Sequence, residues 1–162
     1  MKRPRIRAAK FGDIPALYEI IVETHKRSRY AEGGEINEKR CKALLVQSIQ
    51  RHGGSAEGAT FVAVADHGDG LEGFIIAVLQ PIYLVGTVLE ATDLFWIARP
   101  DAHATTALRL LKVMHKWVPV GAIILQANSD IISDIELSGR VLERCGMHLI
   151  GHVYEKMKEK PK

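Results

Sequence analysis

Residues 96–109 combine residue types and a spacing that suit the binding of a phosphate group. The segment reads W-I-A-R-P-D-A-H-A-T-T-A-L-R. An apolar strand is predicted to end at Arg99-Pro100, and small residues then open an amphipathic helix. The first N–H groups of a helix lack intrahelical acceptors, and the helix dipole favours negative charge beside them. The segment therefore predicts an anion site, although residues 104–107 taken alone are also typical of an ordinary helix start.

Composition limits the classes of protein to which this chain belongs. Its 162 residues are 47% hydrophobic and 25% charged, which is typical of one soluble globular domain. The net charge of +3 is small and the basic residues concentrate at the two ends, so we expect no nucleic-acid partner. Histidines and cysteines show no zinc spacing, so we expect no metal. Two cysteines, no signal peptide and no long apolar run predict a cytoplasmic protein without a membrane span.

Hydrophobic periodicity predicts the order strand, two helices, three strands, helix, strand, helix, strand. The three middle strands have short connections and favour an antiparallel meander. We expect one α/β domain over residues 1–157 and a charged tail over residues 158–162. The predicted strands cover residues 5–9, 61–65, 73–79, 88–98, 121–128 and 147–157.

This order of elements resembles that of the GCN5-related N-acetyltransferases, and the resemblance covers nearly the whole chain. The small bacterial or phage-encoded members have counterparts of H-K-R-S-R-Y-A (25–31), L-Q-P-I-Y-L-V-G (79–86), E-A-T-D-L-F-W (90–96) and L-E-R-C-G-M (142–147). The resemblance implies a mixed, mostly antiparallel sheet of six to seven strands with helices on both faces. It also implies that the fourth and fifth strands splay apart.

The resemblance further implies that acetyl-CoA lies between the splayed strands. Its pantetheine arm would bond to the backbone of Phe95, Trp96 and Ile97. Its pyrophosphate would lie on the turn formed by His103, Ala104, Thr105, Thr106, Ala107 and Leu108. The family's turn has two late glycines that this chain replaces with larger residues, so we expect altered coenzyme affinity, with the Thr106 hydroxyl as an added donor. Asn128 either touches the coenzyme arm or bridges backbone.

Acetyl transfer needs a base for the ammonium proton and an acid for the leaving thiolate. Glu90 and Asp93 on the fourth strand are the candidate bases, and each is equally well interpreted as a solvent-facing carboxylate. Successive side chains of a regular strand point to opposite faces of the sheet, and these two residues are three positions apart. Only one of them can therefore face the cleft unless a bulge intervenes, and we favour Asp93. Many relatives have a tyrosine where this chain has Leu142. Tyr154 and Tyr83 are replacements, each also typical of a packing tyrosine, and bulk water is another source of the proton.

The acceptor is expected to lie near residues 28–35. Tyr30, Glu32 and Tyr83 are candidate substrate-binding residues for a cationic amine, and a solvated loop is the alternative. The resemblance implies transfer of acetyl to a primary amine of a small molecule or protein by direct attack in a ternary complex. It also makes a homodimer an expectation. Loss of the turn glycines and the helix tyrosine favours an alternative function, a non-catalytic coenzyme sensor or protein-interaction module.

Overall fold

A five-stranded sheet, with its strands in chain order, organises the molecule. The computed structural model describes residues 3–125 and 135–151. The first four strands are antiparallel neighbours, and the fifth runs parallel to the fourth. The strands are β1 (Arg5–Ala8), β2 (Thr60–Asp66), β3 (Leu71–Pro81), β4 (Leu89–Ala98) and β5 (Ile123–Leu125), and the helices are α1 (Ile14–Lys26), α2 (Glu38–Gln50), α3 (Thr106–Trp117) and α4 (Ile135–Arg144).

The predicted α/β class, the meander and the mixed, mostly antiparallel sheet are confirmed. Five strands are present in the described residues, rather than the expected six to seven. The last predicted strand, 147–157, does not begin where expected, because residues 147–151 are not in a strand. Its remaining residues, 152–157, lie outside the described part of the chain. Within the predicted strand 121–128, Ile123–Leu125 form β5, and residues 126–128 lie outside the described part.

Helices cover both faces of the sheet, as predicted. Side chains from α1 and α2, such as Leu17 and Leu45, pack with one set of strand residues that includes Val62 and Phe74. Side chains from α3, such as Leu110, pack on the opposite face, where α4 adds partly buried residues. β2 and β3 are therefore buried on both faces, which explains their nearly continuous apolar sequences. No helix in this part of the chain is long and apolar enough to cross a membrane.

β4 contains a bulge at Leu94. Asp93 pairs with Ala77 and Phe95 pairs with Ile76, so Leu94 has no counterpart on β3. One extra residue reverses the alternation of side chains along a strand. The side chain of Phe95 consequently packs on the α1–α2 face, although regular alternation would place it on the same face as that of Asp93.

β5 pairs with only the first part of β4. Glu90, Ala91 and Thr92 pair with residues 123–125, and the Thr92 hydroxyl donates to the Leu125 carbonyl at 3.1 Å. Beyond Thr92, no strand in the described residues pairs with the outer edge of β4. The predicted splay between the fourth and fifth strands would begin after Leu125. It stays a prediction, because residues 126–134 lie outside the described part.

Gly73 allows β3 and β4 to approach closely beside the end of β4. A Cβ atom there would lie 2.6 Å from the Ile97 carbonyl oxygen and 3.0 Å from the Ala98 Cα. Both are backbone atoms, so Gly73→Ala is expected to lower the free energy of unfolding by about 1–3 kcal/mol. Urea unfolding measures this change. Gly70→Ala is the matched control, because a Cβ at Gly70 meets no atom within 4 Å. Equal stability of the two variants would contradict the close approach.

Candidate functional site

The turn between β4 and α3 has the strand–turn–helix form predicted from residues 96–109. β4 ends at Ala98 and α3 begins at Thr106. Within the connection, the Ala102 N–H donates to the Arg99 carbonyl at 3.0 Å and the Thr106 N–H to the His103 carbonyl at 2.8 Å. No side chain caps the start of α3 from the Thr105 position. The turn therefore presents the start of a twelve-residue helix at the end of β4.

A buried carboxylate, that of Glu72, lies against this turn. Glu72 is only 6% exposed. Its Oε1 accepts a hydrogen bond from the Thr106 hydroxyl, and its Oε2 accepts one from the His103 N–H at 3.3 Å. The same Oε2 pairs with Nε2 of His67. The Glu72 carbonyl also accepts the Arg99 N–H at 2.7 Å. One residue of β3 thus holds the turn at three positions.

The environment of Glu72 keeps its side chain ionised. Burial raises the pKa of this carboxyl group, but hydrogen bonds from Thr106, His67 and the His103 amide together lower it by more. The net result is a pKa below the usual range of a glutamate. The negative charge lies beside the start of α3, where the helix dipole favours it.

The other turn residues differ in what they offer to a ligand. The Thr106 side chain is buried and donates to Glu72, so the expectation of an added hydroxyl donor at this position is wrong. Nδ1 of His103 accepts the Thr105 N–H at 3.2 Å. Ala104 is exposed, whereas Ala107 and Leu108 are half-buried. A ligand at this turn therefore meets mainly backbone and small side chains.

The side chains at the end of β4 have packing roles. Nε1 of Trp96 donates to the Ala107 carbonyl at 2.9 Å and joins β4 to the first turn of α3. Phe95 contacts Phe74 with ring centroids 6.0 Å apart, and Ile97 is buried in the same cluster. Because these side chains are engaged in packing, a ligand at this end of β4 would contact the outer backbone edge of the strand, which no described strand pairs with.

The two candidate bases lie on opposite faces of the sheet. Glu90 pairs across the ladder with Gln80, whose Nε2 donates to Oε1 at 2.9 Å, and both share the α1–α2 face. Asp93 pairs with Ala77, which belongs to the α3 face. The bulge at Leu94 follows both carboxylates, so it does not bring them to one side. Glu90 is 9% and Asp93 8% exposed, and only one of them can face a given acceptor amine.

The candidate acceptor residues lie in two exposed loops. Tyr30 is 39% exposed, and its hydroxyl accepts from Nη2 of Arg29 at 2.6 Å, while Glu32 is exposed nearby in the chain. Tyr83 is 85% exposed and has a φ of 55°. It follows β3 at the end of the ladder where Glu90 lies, opposite the β4–α3 turn. Asn128 and Tyr154 lie outside the described residues.

Comparison with known proteins finds likeness at the level of structure. No protein-family model matches the chain, and no curated protein matches its sequence. An acetyltransferase from Trypanosoma brucei superposes with a TM-score of 0.66 at 12% identity, over 95% of this chain and 99% of that one. Glucosamine-6-phosphate N-acetyltransferase from Arabidopsis thaliana gives 0.68 at 8% identity, over 98% and 100%. AAC(6')-Iy, solved in complex with the bisubstrate analogue CoA-S-monomethyl-acetylneamine, gives 0.67 at 13% identity, again over 98% and 100%.

The chain has the fold of the GCN5-related N-acetyltransferases. At these identities the likeness establishes the fold, and the predicted resemblance is confirmed at that level. Because nearly the whole of each chain is covered, the likeness does not depend on one local motif.

Sequence reasoning missed the two residues that hold the turn of this acetyltransferase fold, Glu72 and His67. Glu72 is an acidic residue at the start of the otherwise apolar run L-E-G-F-I-I-A-V-L, directly after the turn H-G-D-G. This single charge at the start of a buried strand was the one feature of the sequence that could have indicated a role for Glu72. Its partner Thr106 is 34 residues away, so nothing local indicated the contact.

Glu72 and His67 also line an open cavity of about 470 Å³, together with Asp69, Arg99 and Asp101. Carboxylates outnumber cations among these residues. In the described residues, no group of three histidine, cysteine, aspartate or glutamate side chains is placed to hold a metal ion.

The lowered pKa of Glu72 predicts a pH-dependent contribution to stability. Its folded pKa lies below the unfolded value of about 4.3, so the ionised side chain stabilises the fold above that pH. This stability is lost as the pH falls through the folded pKa. Glu72→Gln is therefore expected to cost about 1–3 kcal/mol at pH 7 and less at pH 3. Urea unfolding across this range measures the difference.

The control is Glu57→Gln, because Glu57 is exposed on the surface. Its effect is expected to be small at every pH. A cost for Glu72→Gln that stays constant from pH 7 to pH 3 would contradict a stabilising charge at this position.

Proposed function

We propose that this protein is an acetyl-CoA-dependent N-acetyltransferase. The observation that carries the proposal is the β4–α3 junction, where the start of a helix adjoins a strand edge that has no described strand partner. The acetyltransferase fold of the whole chain supports it.

The residues at this junction suit the parts of coenzyme A. The exposed Ala104 and the small Ala107 leave room for a pyrophosphate to approach the first amides of α3. The outer edge of residues 93–98 of β4 offers backbone donors and acceptors to the amides of the pantetheine arm. The CoA conjugate bound by AAC(6')-Iy supports a coenzyme of this class.

The coenzyme supplies the acetyl group as a thioester, and the protein's part is to hold the amine and accept its proton. The amine nitrogen forms a bond to the carbonyl carbon as the carbon–sulfur bond breaks, within one ternary complex. A carboxylate takes one proton from the ammonium group before the attack, and the nitrogen releases a second proton to water as the amide forms. The departing thiolate gains a proton from water or from a tyrosine such as Tyr154. We favour Asp93 as the base, because it adjoins the part of β4 whose outer edge has no partner among the described strands, whereas Glu90 lies in the part paired with β5.

The acceptor class is a primary amine of a small molecule or of a protein. Tyr30, Glu32 and Tyr83 are the side chains we assign to it, since a carboxylate and aromatic hydroxyls suit an ammonium group. Two of the structural neighbours, a glucosamine-6-phosphate N-acetyltransferase and AAC(6')-Iy with its acetylneamine conjugate, support an amine acceptor. The single domain over residues 1–157, the homodimer and the cytoplasmic location stay predictions.

A second candidate function is a coenzyme sensor or interaction module without catalysis. The observation that favours it is the turn itself, which lacks the family's late glycines and carries the Glu72 charge beside α3. Coenzyme binding with no transfer to a broad panel of amines would support this function, and turnover on any amine would refute it.

Acetyl-CoA is expected to bind the wild-type protein with a dissociation constant below about 1 mM, the upper range of substrate affinities in enzymes. Isothermal titration calorimetry measures it. S-acetylpantetheine is the matched ligand, since it has the arm and the acetyl group but no pyrophosphate, and it should bind more weakly. Absence of heat with millimolar acetyl-CoA would refute the proposed function.

Removing the base is expected to lower kcat/KM by about 10²–10⁴-fold. Asp93→Asn should show this loss together with disappearance of the acidic limb of the pH profile. Glu90→Gln should lose less, because Glu90 lies in the part of β4 that pairs with β5. Steady-state kinetics with acetyl-CoA and an accepted amine measure both, and Asp69→Asn, an exposed carboxylate on the β2–β3 turn, is the control. Unchanged turnover in both variants would remove these residues from the chemistry.

A further inference from the structure

The β4–α3 turn keeps its shape without the glycines that similar turns use. Residues 99–105 read R-P-D-A-H-A-T and contain none. Glycine makes close approach and unusual backbone angles accessible, and this turn is built without a positive φ at any of these residues. The contacts that hold it include those of Glu72 on β3 and Trp96 on β4, the ion pair of Arg99 with Glu23 at 3.6 Å, and short-range bonds within the turn.

The Glu72 side chain is well suited to constrain two points at once. An ionised carboxylate has two oxygens that only accept hydrogen bonds, so it can hold several donors in a fixed arrangement. One oxygen takes the Thr106 hydroxyl and the other takes the His103 N–H. These donors are three residues apart, on either side of the point where α3 begins. Their common acceptor therefore sets the direction in which the first amides of the helix point.

His67 holds the carboxylate from the other side. Its Nε2 pairs with the same Oε2 that accepts the His103 N–H. His67 lies on the β2–β3 turn, where its N–H donates to the Gly70 carbonyl at 3.0 Å. The side chain of His67 is 23% exposed and that of Glu72 is 8% exposed, so the carboxylate is the more buried partner of the pair. The β4–α3 turn is thereby attached to the β2–β3 hairpin and not only to its own flanking elements.

We propose that Glu72 is a positioning residue for the coenzyme, which fixes the β4–α3 turn so that the α3 amides meet the pyrophosphate. This inference rests on the proposed acetyltransferase function. It assigns to one buried carboxylate the task of fixing a turn that lacks the family's late glycines. Glu72 touches the turn and not the reacting atoms, so its effect falls on coenzyme affinity and not on the chemical step.

The test compares two threonine variants of the same chemistry. Thr106→Val removes the hydroxyl that donates to Glu72. Thr60→Val removes another buried hydroxyl, which donates to the Ser48 carbonyl at 2.6 Å at the opposite end of the sheet. Both lose one buried hydrogen bond, and Thr106→Val should cost somewhat more stability than Thr60→Val because its bond is to an ionised carboxylate. Only Thr106→Val is expected to weaken acetyl-CoA binding in calorimetry, by about tenfold.

Kinetics separate positioning from a general loss of structure. Thr106→Val and Glu72→Gln should raise the KM for acetyl-CoA about tenfold, with kcat at saturating coenzyme and the KM for the amine near wild-type values. Thr106→Ser, which keeps a hydroxyl, should recover most of the lost affinity. The double variant Glu72→Gln/Thr106→Val should lose little more affinity than either single variant, because both remove the same contact. If Thr106→Val does not fold, the same affinities and KM values are measured for Glu72→Gln instead.

The outcomes distinguish this inference from the function on which it rests. Wild-type protein that fails to bind acetyl-CoA would overturn both. Wild-type binding with equal affinities in Thr106→Val and Thr60→Val would overturn the positioning role alone. Tighter binding by Glu72→Gln would also overturn it, since it would make Glu72 a competitor of the pyrophosphate. A selective tenfold loss with an unchanged kcat would support it.

Discussion

The antiparallel ladder between β3 and β4 holds both ends of the candidate site in place. Nine residue pairs join the two strands, from Gly73 with Ala98 at one end to Pro81 with Leu89 at the other. The first end leads into the turn before α3, and the second leads into the loop that contains Tyr83. Because β3 is buried on both faces, a shift in its register would expose apolar side chains, so the ladder fixes the separation of these ends.

Sequence periodicity predicts the helices and strands well where burial is one-sided or continuous. Leu17 and Ile21 stand at helical spacing within α1, and Asn37 precedes α2, where its side chain accepts the Arg40 N–H. These signals are local, and tertiary packing agrees with them. The order of the elements, and through it the fold, could therefore be predicted.

The parts that could not be predicted depend on contacts distant in sequence or on a single inserted residue. Nothing in D-L-F-W indicates that Leu94 is a bulge, since each residue there suits a regular strand. The bond between Glu72 and Thr106 joins elements 34 residues apart. The left-handed backbone of Tyr83 and Leu84, with φ of 55° and 64°, is also without a signal, because neither is glycine or asparagine. Residue types thus indicated the candidate residues, whereas the contacts around those residues could not be predicted from the sequence.

The bulge at Leu94 divides β4 into two halves that differ in phase. The residues before the bulge alternate between the two faces as in a regular strand. After it, Phe95, Trp96 and Ile97 point to the faces opposite those that uninterrupted alternation from Asp93 would give them. If β4 became regular without losing a residue, its second half would slip by one position, which would turn Trp96 away from α3 and Phe95 towards it. Deletion of Leu94 would instead restore regular pairing and leave both side chains on their present faces. In evolutionary terms, gain or loss of one residue at this position can therefore be absorbed by gain or loss of the bulge, without a change in the faces of the two halves.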